Sequence, residues 1–125
     1  MIEARSEPSR YQTELTNGLH SITSDTTRDK GGSESGFRPH ELLEAALASC
    51  MNMTLRMYAE QQGIQLSGVT TRVKLDRSKP EETVFEYEVD LQGELTDTDR
   101  DRLITVAEKC PVRQTLSKHL GFRTK

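Results

Sequence analysis

The sequence contains no apolar run approaching about 18 residues, the length at which a membrane-spanning helix becomes a candidate. It also lacks an excess of positive charge. Lys and Arg total 17 against 20 Asp and Glu, for a net charge of -3, so there is no electrostatic footprint for nucleic acid. The N-terminus, Met1 to Glu7, does not show the charged-then-apolar order of a signal peptide. A cytoplasmic location is therefore the expectation. His20, His40, His119, Cys50 and Cys110 have no metal-ligand spacing. Gly31-Gly32 is not followed by a lysine and a serine or threonine, so it is not a phosphate-binding loop. No metal, cofactor or nucleotide is expected. Hydrophobic residues reach only 33% and charged ones 30%. A core completed by a second subunit would account for that polar balance, and so would a wet surface. The 125 residues suffice for one compact domain, 1–125, with a real core.

Cysteine is scarce too. Only two are present, Cys50 and Cys110. In a reducing compartment a cysteine pair is more often catalytic or redox-active than structural. Cys50 lies within the longest helical stretch, Phe37 to Gly63. Pro39 suits a first helical turn, where its missing N–H has no intrahelical partner. Gly63 suits the position just past a helix end. Between them Leu, Ala, Met, Glu and Gln dominate, with no internal glycine or proline. Leu43, Ala46, Leu47, Cys50, Met53 and Met57 recur in steps of three and four and so share one face. Leu42, Ala45, Ser49 and Asn52 lie beside it. So wide an apolar zone predicts a central helix. A lone cysteine on such a face is more often a small hydrophobe than a nucleophile. The second cysteine, Cys110, ends another helical stretch, and two helices can bring the pair together across a core.

The remaining chain supplies strands and turns. Asn17-Gly18 is a strong hairpin signal and predicts a strand pair, Ser9–Thr16 and Leu19–Asp25, with a weaker strand around Ile2–Arg5. Asp25 to Gly36 is polar, glycine-rich and aperiodic, hence a loop. Its place before the cysteine helix makes it either a lid or a plain solvated linker. Gln65–Ser78 and Thr83–Glu94 alternate as strands around a turn at Lys79-Pro80-Glu81-Glu82. Glu86, Glu88 and Asp90 read as the solvated face. Thr96 with Asp99 forms a helix-capping pattern. Leu103, Val106, Ala107 and Cys110 make the inner stripe of that helix. Pro111 interrupts, and Val112 to His119 predicts a further short helix. Gly121 to Lys125 is long enough only for an edge strand. The order, β-β-helix-β-β-helix-helix, predicts an α+β fold with antiparallel sheets.

Two motifs then combine. Pro39-His40-Glu41-Leu42-Leu43-Glu44-Ala45-Ala46-Leu47-Ala48-Ser49-Cys50 resembles the signature helix of the OsmC/Ohr superfamily. Glu108-Lys109-Cys110-Pro111-Val112 resembles its second cysteine motif. The resemblance runs from about Arg10 to Leu120. It implies an intertwined homodimer with antiparallel sheets wrapped around long central helices and active sites at the subunit interface. It further implies a thiol-dependent peroxidase that reduces organic hydroperoxides in oxidative or osmotic stress defence. Cys50 would be the peroxidatic cysteine and Cys110 the resolving one. A dithiol or lipoyl-protein would be the reductant. Neither nucleic acid nor membrane would be a partner.

The chemistry asks for a cation. The thiolate is the nucleophile, and a free cysteine, with a pKa of about 8.5, is mostly protonated at neutral pH. Cys50 lies some three turns into its helix, beyond the reach of the N-terminal dipole, and burial would raise its pKa. The resemblance implies an arginine from the N-terminal hairpin, paired to a glutamate at the start of the cysteine helix. Arg10 is in about the right place, with Arg5 and Arg28 as competitors. The glutamate position is held instead by His40. Glu41 is one residue off and points about 100° away. Glu44 lies one turn after His40 on the same face. A histidine can assist a thiolate, but it cannot hold an arginine as a carboxylate does. Met51, Met53 and Met57 read as core or interface filler, or as the wall of an apolar channel for a hydrophobic peroxide. The alternative to a peroxidase is an OsmC-like dimer acting as a redox sensor or small-molecule binder. A third reading is a folded dimer with two inert core cysteines.

Overall fold

The computed structural model describes all residues, 1–125. The element order is β1 (Glu3–Ser6), β2 (Thr13–Thr16), β3 (Ser21–Ser24), α1 (Pro39–Gln62), β4 (Gln65–Lys79), β5 (Glu82–Glu94), α2 (Asp97–Ala107) and α3 (Pro111–Leu116). It is an α+β fold with antiparallel sheets. The chain forms two compact units, Met1–Leu43 and Glu44–Lys125.

The first unit is a three-stranded sheet, β1-β2-β3, followed by a loop. The weak strand expected near Ile2–Arg5 is present as β1, paired antiparallel to β2 with Ala4 opposite Leu15. The strand expected over Ser9–Thr16 is therefore only its second half. Its first half is a turn, closed by the Gln12 N–H donating to the Ser9 carbonyl at 3.2 Å. At the next hairpin Asn17 Oδ1 accepts from the Leu19 and His20 amides, and Gly18 takes φ +93°, a conformation that suits glycine. The chain then leaves the sheet at Ser24 and returns at Phe37. The Asp25 amide donates to the Phe37 carbonyl at 3.2 Å, and the Ser24 hydroxyl donates to the same oxygen at 2.8 Å. The intervening segment, with a 3-10 turn at Arg28–Lys30, is a compact loop with its ends together.

The second unit is built on α1. Its C-terminus is a Schellman motif: Gly63 adopts φ +66°, its amide donates to the Glu60 carbonyl, and the Ile64 amide donates to the Ala59 carbonyl. β4 and β5 form a long antiparallel hairpin. On one face Val69 opposes Leu91, Val73 opposes Tyr87 and Leu75 opposes Phe85. On the other, Arg72 bridges to Asp90 at 2.6 Å and Glu88 at 3.6 Å across the strands, so the acidic row is exposed and cross-paired. The apolar face packs on α1, α2 and the start of α3 in two clusters. Leu55, Ala59, Leu103 and Ala107 centre one. Leu47, Met51 and Cys110 centre the other, with Cys50, Val73, Phe85, Tyr87 and Val112 around them. α2 begins with the expected capping box, Thr96 with Asp99.

Three further expectations change. The fully buried stripe of α1 is Leu47, Met51, Leu55 and Ala59. Leu43, Ala46, Met53 and Met57, expected on the inner face, are exposed. The apolar zone is wider than one sheet face can cover, and the strictly four-spaced half of it meets the sheet. The last helix is Pro111–Leu116, shorter than expected, and Gly121–Lys125 pairs with no strand.

Candidate active site

The two cysteines meet. Cys50 is half-buried on α1, and Cys110 is fully buried at the turn between α2 and α3. Both are free thiols, and Cys50 packs against the buried cluster of Leu47, Met51 and Cys110. Local structure explains the position of Cys110. It is the N-cap residue of α3, with extended backbone, Pro111 in the first helical turn, and its Sγ accepting the Arg113 amide at 3.3 Å. Arg113 also donates through its guanidinium to the Glu108 carbonyl at 2.8 Å, bracketing the cysteine turn.

That environment shapes the acidity of Cys110. Burial pushes its pKa above the usual thiol value, opposed in part by the amides of Arg113 and Val112 and reinforced by the Cys50 sulfur beside it. Both the burial and the neighbouring sulfur favour the neutral thiol form of Cys110. Of the two sulfurs, that of Cys50 is the less buried.

The other candidates divide between structural and open roles. Glu44 accepts the Leu75 amide of β4 at 2.8 Å, fastening α1 to the strand. Asn52 does the same one face round, accepting from the Thr71 hydroxyl at 2.6 Å and donating to the Val69 carbonyl at 3.3 Å. His40 is exposed in the first turn of α1. Its neighbour Glu41 accepts from both the amide and the guanidinium Nε of Arg38 at 2.9 Å. Arg38 thereby holds the Glu41 carboxyl below its usual range. A glutamate at the start of the cysteine helix does hold an arginine, but a local one. Arg10 sits at the tip of the β1–β2 turn, exposed, with its guanidinium carbon 4.9 Å from the centre of the Tyr11 ring. No cluster of three or more His, Cys, Asp or Glu side chains forms a metal site, and no helix is long and apolar enough to cross a membrane.

One organising residue gave no signal in the sequence. Asp25 is buried, and its carboxylate accepts from the Thr26 amide (2.7 Å), the Ser33 amide (3.1 Å), the Ser35 amide (3.2 Å) and the Ser35 hydroxyl (2.7 Å). The Ser35 hydroxyl, then the Thr26 amide, lower its pKa to about 2 against the opposing effect of burial.

The OsmC-like protein family model matches residues 31–125, and the chain belongs to that family. No curated protein matches it. Solved structures share the fold. An osmotic stress induced and detoxification response protein of Psychrobacter arcticus is 23% identical, with a TM-score of 0.77, over 91% of this chain and 85% of that one. An OsmC-like protein of Mycoplasma pneumoniae is 20% identical, with a TM-score of 0.78, over 93% and 85%. The organic hydroperoxide resistance protein OhrB of Bacillus subtilis is 21% identical, with a TM-score of 0.60, over 94% and 89%.

Proposed function

We propose that the protein is a homodimeric, cytoplasmic thiol peroxidase that reduces organic hydroperoxides, with residues 1–125 acting as one OsmC-like domain. The observation that carries this reading is the packing of the half-buried Cys50 against the cluster that holds the buried thiol of Cys110. The names of relatives such as the Bacillus subtilis protein point to the same substrate class.

The steps follow from the roles. The Cys50 thiolate attacks the terminal peroxide oxygen. The O–O bond breaks, the alkoxide takes a proton and leaves as the alcohol, and Cys50 becomes a sulfenic acid. The Cys110 sulfur then attacks the Cys50 sulfur. The S–O bond breaks, hydroxide leaves with the Cys110 proton as water, and a disulfide remains. A dithiol, free or lipoyl, reduces it by exchange and is itself oxidised. Arg10 supplies positive charge to the Cys50 thiolate and the leaving oxygen. Glu44 and His40 act at the start of the cysteine helix, Glu44 by holding α1 to β4.

Cys50 lies between the buried stripe of α1 and its exposed apolar stripe, Leu43, Ala46, Met53 and Met57. A second subunit covering that stripe places the reactive sulfur at the subunit seam, with methionines as an apolar wall for the peroxide. A redox sensor or small-molecule binder is the second reading, favoured by His40 standing where the resemblance implies a glutamate.

The test is the intact mass of the reduced protein after one equivalent of cumene hydroperoxide, and separately of hydrogen peroxide. The expected results are rapid loss of two hydrogens, no reaction in Cys50→Ser, and an oxidised Cys50 trapped in Cys110→Ser. A wild type that stays reduced for many minutes overturns the peroxidase and leaves the binder.

A further inference from the structure

The loop from Asp25 to Gly36 is built around one carboxylate. The Thr26, Ser33 and Ser35 amides and the Ser35 hydroxyl converge on Asp25 from both ends of the loop. The Gly32 and Glu34 amides close it further onto the Thr27 and Thr26 carbonyls. Space inside is minimal. A Cβ at Gly32 would stand 2.3 Å from the Thr26 carbonyl oxygen, and one at Gly36 would stand 2.0 Å from the Thr23 carbonyl oxygen.

This compact loop has an outer surface at Gly31, which takes φ +93° at the end of the 3-10 turn. Arg10 and Tyr11 rest there. A Cβ on Gly31 would stand 3.1 Å from Tyr11 Cε2 and 3.2 Å from an Arg10 guanidinium nitrogen. Arg10 is thus held between the Tyr11 ring and bare backbone. An otherwise exposed arginine carries much rotamer freedom, and the two surfaces remove part of it.

We propose that Asp25 is a positioning residue for Arg10: its carboxylate folds the 25–36 loop into the seat on which the Arg10 guanidinium and the Tyr11 ring are fixed. The consequence for catalysis rests on the peroxidase reading, in which Arg10 serves Cys50. Asp25 itself touches neither peroxide nor sulfur. Its effect is to keep the cation where it is needed, so that little of its placement has to be found at each turnover.

The experiment reads Arg10 directly and catalysis separately. The Arg10 Nε–H and Tyr11 ring signals are recorded by NMR in the wild type, Asp25→Asn and Ser35→Ala. The rate of Cys50 oxidation by cumene hydroperoxide, and the pH profile of Cys50 alkylation in a Cys110→Ser background, are measured alongside. Asp25→Asn is expected to move both sets of signals toward free-chain values and to slow oxidation by roughly tenfold to a hundredfold. Ser35→Ala moves the same signals the same way by less, and it decides the matter if Asp25→Asn does not fold. Asp25→Asn combined with Arg10→Met should be no slower than Arg10→Met alone. Arg10 and Tyr11 signals unchanged in folded Asp25→Asn and Ser35→Ala overturn the proposal. If the signals move but Arg10→Met oxidises at the wild-type rate, the seat stands and it is the role of Arg10 in the peroxidase reading that falls.

Discussion

The Cys110 sulfur accepts the Arg113 amide, and the residue sits in the buried cluster that Cys50 borders. Serine keeps an acceptor for that amide, whereas alanine leaves the α3 N-cap empty. Cys110→Ala should therefore be less stable than Cys110→Ser by about 1 kcal/mol in urea denaturation. The pKa of the buried thiol is also raised above its ordinary value. With its folded pKa raised, its contribution to stability is full below that ordinary value and is lost as pH rises through the folded one. At pH 8, iodoacetamide on the native protein should modify Cys50 well before Cys110, as peptide mapping would show. Asp25 has the opposite sign. Its pKa is lowered from 3.8 to about 2. Its contribution is present above 3.8 and is lost as pH falls through about 2. A stability gap between wild type and Asp25→Asn should thus be open at pH 6 and closed near pH 2. The two cysteines were legible because their residue type and their motifs are rare. Asp25 was not, because in sequence it is one polar residue in a polar run. It acquires its role only when Ser24 and Phe37 are brought together, bringing Ser33 and Ser35 onto its carboxylate.

At the scale of elements, α1 shows what periodicity can and cannot decide. Its existence and ends were plain from Pro39, Gly63 and the helix formers between them. Its facing was not, since apolar residues cover more than one stripe, and the hairpin β4–β5 selects among them. Leu47, Met51, Leu55 and Ala59 meet the sheet, while Asn52 and Glu44 fix the rotation by bonding to Val69, Thr71 and Leu75. The cost of error is unequal along the helix. Leu55 is fully buried among Ala59, Leu103 and Ala107, so Leu55→Ala should lose about 2–5 kcal/mol through lost burial and the cavity left behind. Asn52→Ala should cost about 1–3 kcal/mol, because it leaves the Thr71 hydroxyl without its acceptor. Chemical denaturation of the two variants checks both figures. The strand pair β4–β5 was legible almost to the residue, because one apolar face against one charged face admits a single facing. The first strand was legible only weakly, since Glu3–Ser6 carries no apolar alternation and is recruited by pairing with β2.

At the scale of the molecule, one apolar stripe of α1 is left in contact with water. Leu43 is 45% exposed, and Met53 and Met57 are each 59% exposed. With Ala46 and Cys50 they alternate in steps of three and four, the spacing of a seam between helices. The first unit adds to the imbalance. Its only buried residues are Ser24 and Asp25, while Leu15 and Ile22 line an open apolar groove of about 420 Å³. A small sheet gains its stability from an apolar face that is packed against something. In the proposed homodimer a second copy of the chain would cover this surface, which accords with a sequence only 33% hydrophobic. Sedimentation equilibrium at micromolar concentration should give twice the chain mass of 14.1 kDa. Met53→Lys combined with Met57→Lys, which places two charges on the exposed stripe and touches no buried residue, should shift the mass toward one chain. In that variant hydrogen exchange should speed up in Glu3–Ser24 before it does in β4 and β5, whose core is internal to the second unit. A wild type that sediments as a single chain would remove the dimer, and with it the subunit seam as the place where a peroxide meets Cys50.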